Sequence, residues 1–219
     1  DEHRDRWYLI VLNQRGGIQT ADEIADAMSF ETAKDYRDWI ARLEALPLYI
    51  EQTTSLMKDG VKTGMLLPHV IMSRVPAQIE KQVVDDPMTS PFFKPFETFP
   101  ESVSETERSA LVAEASSILK AKVSPAYRKF HTFFVNDYLP HCPKESGAWK
   151  LPNGKELYAF FARSFTTTTM TPDEIHETGL AEVARIRAEM EKIKEEVGFK
   201  GTLKEFFEHL RTDERYYYK

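Results

Sequence analysis

The sequence holds a single cysteine, Cys142, and without a second thiol the chain cannot close an internal disulfide. It has only 9 glycines in 219 residues, too few for the turn-dense connections of a β-sandwich or barrel. Long apolar runs are absent. None is longer than Trp7 to Leu12, against the roughly 20 residues that a membrane-spanning helix needs. Positive charge is in deficit too: 29 Lys and Arg stand against 35 Asp and Glu, a net charge of −6. No basic stripe interleaves with aromatic residues, so nothing in the charge pattern drives the chain toward nucleic acid. The start, Asp1-Glu2-His3-Arg4-Asp5-Arg6, is highly charged, unlike a signal peptide, and carries no initiator Met. We therefore expect the chain to begin inside a longer protein.

What is present is an ordinary globular balance, 42% apolar and 29% charged, written mostly in helical periods. Residues 7–12 are a β-branched and aromatic run that reads as a strand or a buried extended segment. Thr32, with Asp35 three residues on, opens the first helix. Tyr36, Trp39, Ile40, Leu43, Leu46 and Ile50 follow at helical spacing, and Pro47 predicts a kink or a split there. A shorter helix is expected from Pro76 to about Val84. Between 86 and 100, four prolines alternate with Phe92, Phe93, Phe96 and Phe99, which forbids one continuous helix and predicts an irregular segment pinned to a neighbouring surface.

The second half reads more strongly. Ser104 to Glu107 is a capping box ahead of the stripe Leu111, Val112, Ala115, Ile118 and Leu119. Ser124-Pro125 looks like a cap followed by a first-turn proline, restarting the chain as a new helix with Tyr127, Phe130, Phe134 and Tyr138 on one face. After the turn at Pro152 to Gly154, a helix carries Leu157, Phe160 and Phe161. Thr171-Pro172-Asp173-Glu174 opens a long helix about 40 Å in length, with Ile175, Val183, Ile186, Met190, Ile193 and Val197 at three-and-four spacing and Gly198 placed to end it. A last short helix runs from Thr202 to Leu210, and three consecutive tyrosines, Tyr216 to Tyr218, precede the final Lys219 with apolar area to cover. The expected fold is mainly α, a multi-helix array forming part of a larger helical fold. Residues 1–219 read as one portion of a larger domain, with sub-units 1–85 and 101–219 joined by the Pro/Phe-rich 86–100.

Chemistry is sparse. His176-Glu177 begins the two-histidine helix motif of zinc peptidases, but position 180 is Leu rather than a second His. His131, His141 and Cys142 are the one soft-ligand cluster, with no further ligand at a familiar spacing, so no metal site is assigned. There is no G-x-S-x-G elbow, no phosphate-binding loop and no dinucleotide fingerprint. Asp85-Asp86 and Glu195-Glu196 read as solvated carboxylates, and we expect no catalytic residue in this chain. The unusual stretch is Ser164 to Thr171, with five threonines before a helix N-terminus. Such a place suits a carboxylate or a peptide backbone, or else a cap loop that satisfies itself.

The run from Leu157 through Ser164-Phe165-Thr166-Thr167-Thr168-Thr169-Met170-Thr171-Pro172-Asp173-Glu174-Ile175-His176-Glu177 to Ile186 resembles the bacterial family called domain of unknown function 885. So do Phe206 to Asp213 with Arg215-Tyr216-Tyr217, Tyr36 to Leu43, and Gly60 through Pro68 to Val75. That family is similar to zinc metallopeptidases of the gluzincin, thimet-oligopeptidase-like kind. The resemblance implies a helical shell around a deep substrate channel, and members that are exported, some as lipoproteins. Its zinc motif, of the H-E-x-x-P-G-H-H type, would lie downstream of these residues, so no zinc ligand or catalytic Glu carries over. The chain departs from the family pattern at Ser164-Phe165, where a Tyr-His pair is expected. The resemblance implies that the chain is a non-catalytic middle portion of a zinc-dependent peptidase. Its partners would be the remaining N- and C-terminal portions of its own protein and a peptide substrate, with zinc held in the complete protein. Thr166, Thr167, Thr168 and Arg163 are the residues expected to touch substrate. The rival class is a non-enzymatic helical binding module, using the Phe/Pro segment and the long helix as partner surfaces.

Overall fold

A computed structural model of the chain describes residues 6–217. Asp1 to Asp5, with His3, and the end of the tyrosine run, Tyr218 with Lys219, lie outside the described residues. Among the described residues, eight α-helices form the framework and there is no strand, only an isolated bridge between Asn13 and Gly16. The fold is mainly α. The described chain divides into two compact units, with the boundary between Lys155 and Glu156.

The first unit is built on α1 (Ala33–Thr63), against which α4 (Glu105–Ile118) and α5 (Ser124–Phe133) pack. Two short helices, α2 (His69–Met72) and α3 (Val75–Glu80), connect them, with α3 lying on α5. The Thr32–Asp35 box caps α1, and Tyr36, Trp39, Ile40, Leu43, Leu46, Ile50 and Met57 form its buried stripe. Of the two outcomes expected at Pro47, a split does not occur: α1 runs unbroken for 31 residues. Proline removes one hydrogen bond from the ladder, but Leu43, Leu46 and Ile50 on either side are buried in the core, and their burial holds the helix together across the gap.

A second correction concerns Ser124-Pro125. The chain does not restart there. Residues Leu119–Val123 form a π-helical turn that joins α4 directly to α5, and a second π turn, Phe134–Tyr138, extends α5. The wider π turn shifts the hydrogen-bond register ahead of the proline, which is how a helix absorbs a residue with no N–H. Ser124 is accordingly not a cap. Its buried hydroxyl donates to the Val84 carbonyl at 2.7 Å, tying α5 to the end of the α3 segment.

Residues 7–12 form a 3-10 turn at Trp7–Leu9 rather than a strand, with Leu9 and Leu12 buried. Gly17 holds the next turn at a φ of 144°, and an added Cβ would lie 2.3 Å from that of Leu12. The segment Ile18–Ala27 is fixed from two directions. The Tyr127 hydroxyl donates to the Ile18 carbonyl at 2.6 Å, and the buried Gln82 amide donates to the Gln19 carbonyl and to Asp22 Oδ1. The Pro/Phe segment folds as two short 3-10 pieces, Pro87–Thr89 and Pro91–Phe96, that bury Phe92, Phe93 and Phe96. Trp39 donates its indole N–H to the Phe92 carbonyl at 3.1 Å, and Phe92 in turn contacts Tyr127 at 5.9 Å between ring centroids. The segment is thus part of the core rather than an exposed docking peptide.

The second unit contains α6 (Gly154–Thr166, nearly all of it beyond the boundary), α7 (Pro172–Glu196) and α8 (Leu203–Thr212). Complete capping boxes at Thr171–Glu174 and Thr202–Glu205 start α7 and α8. Gly198, at φ 74°, stops α7: its N–H donates to the Glu195 carbonyl and that of Phe199 to the Lys194 carbonyl, the paired bonds of a Schellman ending.

Candidate functional site

The threonine loop joins α6 to α7, and the structure brings Arg163, Thr166, Thr167 and Thr168 into one turn of chain, all of them exposed. Their hydroxyls are occupied with each other and with the backbone. Thr166 Oγ1 donates to the Ala162 carbonyl at 2.7 Å and lies 2.9 Å from Thr168 Oγ1. Thr167, at a φ of 55°, donates its hydroxyl to the Thr166 carbonyl, and Thr168 Oγ1 accepts from the Met170 N–H. The α7 N-terminus is filled from within. Thr171 Oγ1 accepts from the Glu174 N–H, while the Glu174 carboxylate accepts from the Thr171 N–H and hydroxyl. Those bonds, the backbone one foremost, hold the Glu174 carboxyl below its ordinary range. With Asp173 and Glu174 in its first turn, this terminus is negatively furnished already, so any charge attraction for a carboxylate has to come from Arg163.

The His131, His141 and Cys142 cluster does not build a metal centre. Cys142 is buried, and burial pushes its thiol up to about 12, far from the thiolate that zinc requires. Its Sγ faces the Tyr138 carbonyl at 3.7 Å, while His141 Nδ1 is engaged with the Asp137 carbonyl at 2.9 Å. Among the described residues, no group of three or more His, Cys, Asp or Glu is arranged to hold a metal ion. His176 and Glu177 stand exposed on α7, with Leu180 on the same side.

The largest departure from an ordinary protein surface is α7 itself. It has 25 residues and not one of them is buried. Leu180, Val183, Ile193 and Val197 are 54%, 66%, 52% and 63% exposed, and Ile186 is exposed beside them, whereas Met190 belongs to the wall that faces α8. These residues share one face, so the helix is amphipathic with its apolar stripe uncovered. Among the described residues of this unit only Leu157, Leu203 and Phe206 are buried. Tyr216 and Tyr217 are also exposed, although the Tyr217 hydroxyl donates to the Arg211 carbonyl.

Two of the concavities set charged side chains around an apolar floor. In the first unit, α1 and α5 enclose a groove of about 850 Å3, floored by Leu48, Phe130 and Phe133 and rimmed by charges of both signs, Glu51, Lys58, Lys129 and Asp137. In the second, α7 and α8 frame a cleft of about 380 Å3 lined by Arg187, Met190, Leu203, Lys204, Phe207 and Arg211. The sequence pattern does not single out these cations. Arg187 and Lys204 each have a glutamate four residues on, Glu191 and Glu208, and read as solvated helix pairs; in the structure each glutamate bonds another base.

A family profile described as "Bacterial protein of unknown function (DUF885)" matches residues 1–219, the whole chain. The chain belongs to the DUF885 family. Among solved structures, a crystal structure from Colwellia psychrerythraea, described as a putative lipoprotein, superposes with a TM-score of 0.74 at 23% identity. At that identity the likeness speaks to the fold alone. The match covers 96% of this chain and 37% of that one, so the chain spans a little over a third of the length of its solved relative. No curated protein matches. Among the described residues, no helix is long and apolar enough to cross a membrane.

Proposed function

We propose that this DUF885 chain is a non-catalytic helical portion of a zinc-dependent peptidase, forming one wall of a substrate channel. Zinc would sit in residues of the complete protein outside this chain and would supply an activated water for attack on a peptide carbonyl. The chain's own part is to scaffold that half and to present a surface to the peptide. Thr166, Thr167, Thr168 and Arg163 are our candidates for peptide contact. The Arg163 guanidinium would meet a carboxylate, and the threonine hydroxyls would exchange their mutual hydrogen bonds for bonds to a peptide backbone.

The observation that carries this reading is the α7 stripe. Four large apolar residues more than half exposed along one helix and its C-cap are a poor surface for a self-sufficient domain and a good seam for further chain. The partial coverage of the solved relative gives that further chain a source. The peptidase chemistry rests on the resemblance of residues 157–186 and 206–217 to a peptidase-like family. An exported setting, periplasmic or lipoprotein-anchored, accords with the description of the Colwellia protein.

The test is hydrolysis of quenched fluorescent peptides by the product of the complete reading frame, with and without a chelator, beside the 219-residue chain. Chelator-sensitive cleavage by the long form and none by the short form is expected. No cleavage by either, with peptide binding retained, would favour a non-enzymatic helical binding module, and the mixed-charge groove between α1 and α5 would then be its first candidate surface.

A further inference from the structure

We propose that the cleft between α7 and α8 is a carboxylate-reading site that takes the C-terminal residue of a peptide with an apolar side chain. The proposal rests on the peptide-handling role above and names a subsite for it. The cleft has two chemically distinct parts. Met190 from α7 and Leu203 and Phe207 from α8 make an apolar floor, and Arg187, Lys204 and Arg211 stand around it. No carboxylate takes part in its lining. Its volume, about 380 Å3, lies at the lower end of the usual range for small-ligand sites.

The charge around it is unbalanced because the neighbouring acids are already engaged. Glu191 pairs with Lys194 at 2.6 Å, Glu205 closes the capping box with the Thr202 N–H at 2.7 Å, and Glu208 pairs with Arg211 at 2.9 Å. Arg187 and Lys204 form no ion pair among the described residues. They come from different helices, Arg187 from α7 and Lys204 from α8. In a chain of net charge −6, such a local excess of cations selects for an anion. The Arg187 guanidinium offers the planar fork that fits a carboxylate, Lys204 adds a point charge to the same lining, and the floor takes an apolar side chain. A terminal carboxylate attached to an apolar residue has both features within one residue's reach. An acidic side chain does not, because its carboxylate replaces the apolar group.

The experiment uses the 219-residue chain and three probes: an N-acetylated tripeptide ending in leucine with a free carboxylate, the same peptide as its C-terminal amide, and decanoate. Binding is followed by calorimetry. The acid is expected to bind at least tenfold more tightly than the amide, and Arg187→Gln with Lys204→Gln is expected to abolish that preference. Lys192→Gln, a cation on α7 outside the cleft, should leave it intact. Circular dichroism confirms that each variant keeps its helices. Equal binding of acid and amide overturns the proposal, as does a preference that survives the double substitution. Decanoate binding as tightly as the peptide acid, with the same dependence on Arg187 and Lys204, overturns the assignment to peptide. The peptidase reading fails separately, by absence of cleavage and of zinc in the complete protein, and that failure leaves these binding measurements unaffected.

Discussion

Replacing Leu180, Val183, Ile193 and Val197 together with serine tests whether α7 is a seam. Each of these side chains already sits more than half in water, so little apolar burial is lost in the 219-residue chain. Serine is a somewhat poorer helix former than leucine, by a few tenths of a kcal/mol, and the four changes should cost this chain about 1 kcal/mol or less. In the complete protein the same positions would be covered. Full burial of such a side chain is worth about 1.5–3 kcal/mol, and roughly half of that remains to be gained here, so four positions sum to about 3–6 kcal/mol. Urea denaturation of both lengths, wild type against variant, reads the difference. The expected result is a near-unchanged midpoint for the short chain and a large drop for the long one. Equal small effects in both lengths would mean that α7 faces solvent in the complete protein too, and the seam argument would fall.

Tyr127→Phe removes a buried hydroxyl and leaves the Ile18 carbonyl without its donor, so it should destabilise the first unit by about 1–3 kcal/mol, read from the same urea curves. Cys142, whose thiol burial raises to about 12, should be inert to thiol reagents at pH 8 in the folded chain and react at once in denaturant. Asp213 is held at about 2, from an ordinary 3.8, chiefly by its bonds from the Arg215 side chain and N–H. Because the folded value is the lower one, its contribution is present above about pH 4 and is lost as pH falls toward 2; NMR of the Glu214–Tyr216 turn should show it loosening in that window. Asp213→Asn should remove that pH dependence.

The helix starts of the second half were legible because capping chemistry is local: Ser104, Thr171 and Thr202 each meet a glutamate three residues on, and each box forms. Gly198 was legible for the same reason, since a left-handed stop needs only one residue's freedom. The prolines misled because their effect depends on what surrounds them. Pro47 is spanned by packed neighbours, and the register shift that lets Pro125 sit inside a helix leaves no mark in the residue pattern. The apolar run at 7–12 has strand propensity but finds no partner strand, so burial of Leu9 and Leu12 in a 3-10 turn wins. The threonine loop was found by its composition. Its self-satisfied hydrogen bonds match the cap-loop alternative that the composition offered, and only their individual partners depend on the turn at Thr167. The α7–α8 cleft was invisible for a different reason: spacing pairs Arg187 with Glu191 and Lys204 with Glu208, and geometry gives both acids to other bases.

Zinc per chain, by elemental analysis of the 219-residue protein beside the product of its complete reading frame, tests the central claim most directly. The account predicts an empty short chain and about one zinc in the long form. Stoichiometric zinc in the short chain would contradict the reading of Cys142 and its neighbouring histidines. Absence of zinc from both would contradict the peptidase role itself.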